Sequence, residues 1–165
     1  MVNVVPAILF DNRQDFEEKL AKVWSAVNRV QMDVIDGIFS EKVTLTPDIL
    51  NQIDTIVNFD IHLMVDQPEN WVERCVMGGV DRVFGQVEMM KDKAKFIADA
   101  QAEGLLVGLG YDLETPLDGL EQYINDVDAI LLMSVKAGAQ GRVFDRRVLE
   151  KIKAVRKLSK RSNQI

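Results

Sequence analysis

A single cysteine, Cys75, rules out any disulfide within the chain. It lies in an apolar stretch of helical spacing and reads as a packed residue, since buried free cysteine behaves as a small hydrophobe. No apolar run approaches the roughly 20 residues needed to span a bilayer. Met1 to Leu9 carries no positive segment, so a secretory leader is not expected. Positive charge is in deficit, with a net charge of -6. Such a surface repels nucleic acid and anionic lipid, and neither is expected as a partner. A bound phosphate would then be held by local backbone N–H groups or single cations. No G-x-G-x-x-G follows the first apolar run and no G-x-x-x-x-G-K-[ST] occurs, which disfavours the usual nucleotide-binding sheets. The lone thiol fits a reducing cytoplasm.

What is present is alternation. The 165 residues suit one domain with a real core. Short runs rich in Val, Ile, Leu and Met occupy Asn3–Leu9, Arg29–Ile35, Phe59–Val65, Arg82–Val87, Leu105–Leu109 and Ala129–Val135. Bounded by Asp, Gly or Pro, they read as strands buried on both faces. Helical patterns lie between them. Phe16, Leu20, Val23, Trp24 and Val27 share one face of the first, and Trp24 and Trp71 are expected between helix and sheet. Thr46-Pro47-Asp48 opens a second helix and Asp66-Gln67-Pro68-Glu69 a third. Ala94, Ile97 and Ala98 mark a fourth, Thr115-Pro116 opens a fifth, and Val148, Leu149, Ile152, Val155 and Leu158 mark a sixth. The cations of that last helix, Arg146 to Arg161, read as its solvent face. Met77, Met89 and Met90 read as helix packing. Strand–helix repetition implies a parallel sheet with right-handed crossovers, either open and doubly wound or closing as a barrel.

Strand alternation sorts the polar residues. Gln31, Asp33 and Ile35 share one face of the second strand, His62 and Met64 one face of the third, and Phe84, Gln86 and Glu88 one face of the fourth. A carboxylate inside an apolar strand is costly unless paired or bound to a cation. His62 is the only histidine, and alone it would read as a hydrogen-bonded core residue. Together, Asp33 and His62 supply two ligands of a Zn²⁺-, Fe²⁺- or Mn²⁺-type site.

Motifs in order along the chain point further. They are Val5-Pro6-Ala7-Ile8-Leu9, then Gln31-Met32-Asp33-Val34-Ile35-Asp36-Gly37-Ile38-Phe39, then Asp60-Ile61-His62-Leu63-Met64-Val65 with Pro68-Glu69. Gly78-Gly79-Val80-Asp81, Val107-Gly108-Leu109 with Thr115-Pro116, and Leu132-Met133-Ser134-Val135 through Gly138 and Gly141 to Phe144 complete the series. The pattern resembles the ribulose-phosphate 3-epimerase family. The resemblance implies a (β/α) TIM-type barrel, here with about six βα units in one domain over 1–165, short of the last two of eight. It implies interconversion of D-ribulose 5-phosphate and D-xylulose 5-phosphate through an enediolate, in the cytoplasm. A divalent metal would be held by two His and two Asp, and the two Asp would act as acid and base.

Matched residue by residue, Asp33 takes the place of the first catalytic Asp, which is also a ligand, and His62 that of a ligand His. Gln31 replaces the other ligand His, Gln86 replaces a family His after strand four, and Ala7 replaces a substrate-contacting Ser. Met64 and Met133 match pocket methionines, while Ile35 replaces a third. Gly138 and Gly141 match the substrate-binding loop after strand six. The second catalytic Asp would belong to a seventh strand, beyond Ile165. Three expectations follow. The first is an epimerase of a ketopentose phosphate using a divalent metal. The second is a catalytically impaired relative that binds a sugar phosphate or serves a structural or regulatory role. The third is a sugar-phosphate enzyme that uses Asp33 with Gln31 and Gln86 and no metal. Unpaired first and sixth strands point to homo-oligomerisation, completion by another chain, or a fragment of a longer product.

Overall fold

In the computed structural model, which describes residues 2–159, a six-stranded sheet runs in the order β1-β2-β3-β4-β5-β6. The strands are β1 Ala7–Ile8, β2 Arg29–Ile35, β3 Asn58–Met64, β4 Arg82–Gln86, β5 Leu106–Tyr111 and β6 Ala129–Leu132. Every neighbouring pair is parallel. The sheet curls as a half-barrel with helices between strands, an incomplete α/β TIM-type barrel. Sequential parallel strands beside one another need a crossover each, and right-handed twist makes the sheet curl when all crossovers lie on one side.

The outer face of the sheet carries the main core. Met32, Val34, Ile61, Leu63, Val83, Val107 and Leu109 point outward and are buried beneath the crossover elements. Helix α1, Arg13–Ala21, starts where the Asn12 side chain accepts the Asp15 N–H at 3.0 Å, and it lays Phe16 and Leu20 on the sheet. Phe10 meets Phe16 edge-on at 5.0 Å. Helix α2, Val72–Met77, buries Val72 and Cys75. Burial pushes the Cys75 thiol up to about 12, so it packs and does not act as a nucleophile. Helix α3, Lys93–Ala102, buries Phe96, Ile97 and Ala100, and α4, Val148–Leu158, buries Val148 and Val155. Lys151 of α4 donates to the carbonyls of Asp112 at 2.6 Å and Thr115 at 2.7 Å, which ties the loop after β5 to the last helix.

Several elements are shorter than the sequence suggests. The first strand keeps two residues of the expected Asn3–Leu9, since Pro6 has no N–H for a ladder and Val2 and Val4 stay exposed. The segment opened by Thr46-Pro47 is a 3₁₀ turn, Pro47–Gln52, whose Thr46 makes no side-chain cap. No α-helix follows Thr115-Pro116. Gly119, at φ +79°, breaks the run and leaves the short turn Leu120–Gln122. Trp24 lies beyond the end of α1 and is 46% exposed, and Met77 is 56% exposed, so neither is core. Of the cations assigned to the last helix, Lys160 and Arg161 lie outside the described residues.

Candidate active site

Register places the polar residues. Asp33 of β2 pairs with His62 of β3, Gln31 with Asp60, and Gln86 of β4 with Gly110 of β5. All project from the inner wall, because residues two apart share a face.

At the amino end of the wall, the Asp60 side chain, 2% exposed, accepts from Arg29 at 2.5 Å and is paired with Arg82 on its other oxygen. The Arg82 guanidinium lies 4.9 Å from the Phe84 ring centroid. This ion group closes the floor. It was not read from the sequence, where Arg29 and Arg82 stand as ordinary strand boundaries.

One layer up lies a polar row. The Gln31 amide N–H donates to Asp33 Oδ1 at 2.8 Å. The same oxygen is 3.4 Å from His62 Nδ1. His62 Nε2 in turn is 2.8 Å from Gln86 Oε1. The row opens at its β2 end, where the Asp33 side chain keeps 18% exposure, and is sealed at the other, where His62 and Gln86 are fully buried. Gln86 is pressed against β5, since a Cβ on Gly110 would come within 2.4 Å of its Oε1. Its Nε2 has no partner among the described residues.

Above this row, Ile35 and Met64 pair in register and join Leu9 and Ala137 in a small apolar cluster, with Phe39 and Met133 against it. Gly138 belongs to this layer. It sits at φ +90°, its N–H points at Met64 Sδ at 3.2 Å, and a Cβ there would strike Ser40 at 2.8 Å. Gly141 stands apart: nothing lies within 4 Å of where its Cβ would be. The predicted residues thus separate into Asp33, His62, Gln31 and Gln86 in one layer and Met64, Met133 and Gly138 in the next. Beyond them a cavity of about 880 Å³ is lined by Phe39, Lys42, Glu88, Met89, Asp112, Lys136, Gly138 and Arg142. Met89 therefore faces this mouth instead of packing a helix.

The loop after β2 is fixed by Asp36, which accepts from the N–H groups of Ile38 at 2.8 Å, Phe39 at 3.0 Å and Asp66 at 2.6 Å. Partial burial opposes its charge, but these donors outweigh that and hold the carboxyl below the usual aspartate range. Glu88 plays a similar part on the other side, accepting from the Asp112 N–H at 2.8 Å and the Thr115 hydroxyl at 2.5 Å.

The divalent ion expected from the sequence can be tested against these groups. A closed zinc-type site draws on four ligands, and a catalytic one on three plus water. Here Gln86 occupies Nε2 of His62, leaving Nδ1 and the Asp33 carboxylate as the two good donors, and the Gln31 N–H already lies against Asp33 Oδ1. No group of three His, Cys, Asp or Glu that could hold an ion occurs among the described residues. The residues present do not fit a tightly held zinc-type ion.

The fold and site define an α/β half-barrel with a carboxylate–imidazole pair on its inner wall. The model of the Ribulose-phosphate 3 epimerase family matches residues 3–165, and the chain belongs to that family. Ribulose-phosphate 3-epimerase of Bacillus subtilis (strain 168) is 26% identical over 96% of this chain and 75% of its own length. That of Chlamydia muridarum (strain MoPn / Nigg) is 31% identical over 91% of this chain and 64% of its own. That of Synechocystis sp. (strain ATCC 27184 / PCC 6803 / Kazusa) is 32% identical over 94% of this chain and 70% of its own. The chain thus spans about two thirds to three quarters of these relatives. A structure of the TTHB071 protein from Thermus thermophilus, soaked with ZnCl2, superposes with a TM-score of 0.60 at 12% identity, over 94% of this chain and 75% of that one, and bears on the fold alone. No helix among the described residues is long and apolar enough to cross a membrane.

Proposed function

We propose that this epimerase-like chain acts on a ketopentose phosphate, interconverting D-ribulose 5-phosphate and D-xylulose 5-phosphate, with Asp33 as the base. The observation that carries this reading is the Asp33–His62 pair, 3.4 Å apart on neighbouring strands at the open end of the polar row. Asp33 removes a proton from the carbon beside the carbonyl, giving an enediolate; a proton from solvent delivered to the opposite face completes inversion, and Asp33 then releases the one it took. Gln31 fixes the rotamer of Asp33, and Gln86 fixes the ring of His62. The apolar layer of Ile35, Met64 and Met133 keeps water from the reacting carbon. The exposed Lys136 and Arg142 beside Gly138 offer the phosphate single cations in place of a broad basic field.

A second reading is a sugar-phosphate binder without turnover. It is favoured by the Gln31 N–H on Asp33 Oδ1, which occupies one of the two oxygens a base would use. A coupled assay of D-ribulose 5-phosphate conversion with an Asp33→Asn control separates them. Epimerase chemistry predicts turnover that falls at least about 100-fold in the control. Saturable binding of the sugar phosphate with no turnover selects the second reading.

A further inference from the structure

We infer that Gln31 and Gln86 take over the work of a resident divalent cation, so that this chain holds its ligand, and Asp33 in position, without a metal. The inference rests on the sugar-phosphate reading above for the ligand's class, an open-chain ketose phosphate, but not for its claim about the cation. Three observations carry it. Gln31 donates one amide hydrogen to Asp33 Oδ1, the carboxylate oxygen nearest His62 Nδ1, and keeps a second hydrogen unspent beside the open end of the row. Gln86 lies at 2.8 Å from His62 Nε2 and fixes the ring from a fully buried position. Its own amide N–H group, sealed in the wall, has no partner among the described residues. Two amides therefore bracket the Asp33–His62 pair: Gln86 from the sealed side, where it fixes the ring, and Gln31 from the open side, with an N–H of the kind that ketose carbonyl and hydroxyl oxygens accept from. Fixed N–H donors stabilise charge developing on a carbonyl oxygen, as a Lewis acid would. Gln86 acts through His62 and is a positioning residue; Gln31 stands where ligand and carboxylate meet.

The test is a titration of the purified, chelator-treated chain with ZnCl2 and MnCl2 by calorimetry and metal analysis, beside Gln31→His. The variant adds an imidazole at a half-buried position, where Gln86→His would strain the wall against Gly110. The expected result is no stoichiometric uptake by the native chain and a gain in Zn²⁺ affinity of at least about tenfold in Gln31→His. A tetrahedral Co²⁺ absorption spectrum in the variant alone would support it further. Stoichiometric, micromolar or tighter uptake by the native chain would overturn the inference. So would a variant that folds, by its circular dichroism, yet gains nothing. Binding of D-ribulose 5-phosphate is then measured with EDTA and with ZnCl2. Equal affinity is expected, and a requirement for the metal overturns the inference. Absence of binding in both would sink the sugar-phosphate reading, while the metal titration would still decide the question of the cation.

Discussion

Gln86 and Gly110 are a matched pair. The amide fills the space that any side chain on Gly110 would need, with 2.4 Å between Gln86 Oε1 and an added Cβ. Gly110→Ala is therefore expected to push Gln86 off His62 and to cost about 1–3 kcal/mol in urea unfolding, as overpacking of a filled interior does. An unchanged unfolding midpoint would mean that Gln86 is free to move. Asp36 carries a pH dependence of definite sign. Its carboxyl lies below the usual range in the folded chain. Its contribution is fully present above the unfolded aspartate value and is lost as pH falls through the lower folded value. The difference in urea midpoint between the native chain and Asp36→Asn should then be widest near about pH 6 and close toward about pH 3. A gap that widens on acidification would contradict this.

At the level of elements, the strand periodicity located β2 to the residue and β3 and β4 to within one position at either end, because strands buried on both faces write long apolar runs. It also sorted Gln31 with Asp33, His62 with Met64 and Gln86 with Phe84 onto one face of each strand, and the register then sets those faces on one wall. What it missed depends on pairing across the sheet. Asp60 looked like the edge of a motif, yet it is the buried centre of the Arg29–Asp60–Arg82 group, visible once β2, β3 and β4 lie in register. Crossover lengths were overread, because Pro and Ser/Thr start signals occur before 3₁₀ turns as well as before helices. Asp60→Ala is expected to leave Arg82 without its carboxylate and Arg29 with only Asp81 at 3.8 Å, and to cost about 3–5 kcal/mol, measured by denaturant unfolding. A loss below about 1 kcal/mol would show that water already reaches them.

For the molecule as a whole, the sheet pairs β1 with β2 alone and β6 with β5 alone among the described residues. Strand edges without neighbours template association. Light scattering after size exclusion is expected to report a mass above the 18.6 kDa of one chain. A monodisperse monomer with a cooperative melt would contradict that. The curl of the sheet brings one carboxylate and one imidazole together on its inner wall. The direct measurement is the coupled conversion of D-ribulose 5-phosphate to D-xylulose 5-phosphate by the native chain and by Asp33→Asn. Turnover in the native chain that is lost in the variant is the predicted result. No turnover in the native chain, or turnover that survives the substitution, would contradict it.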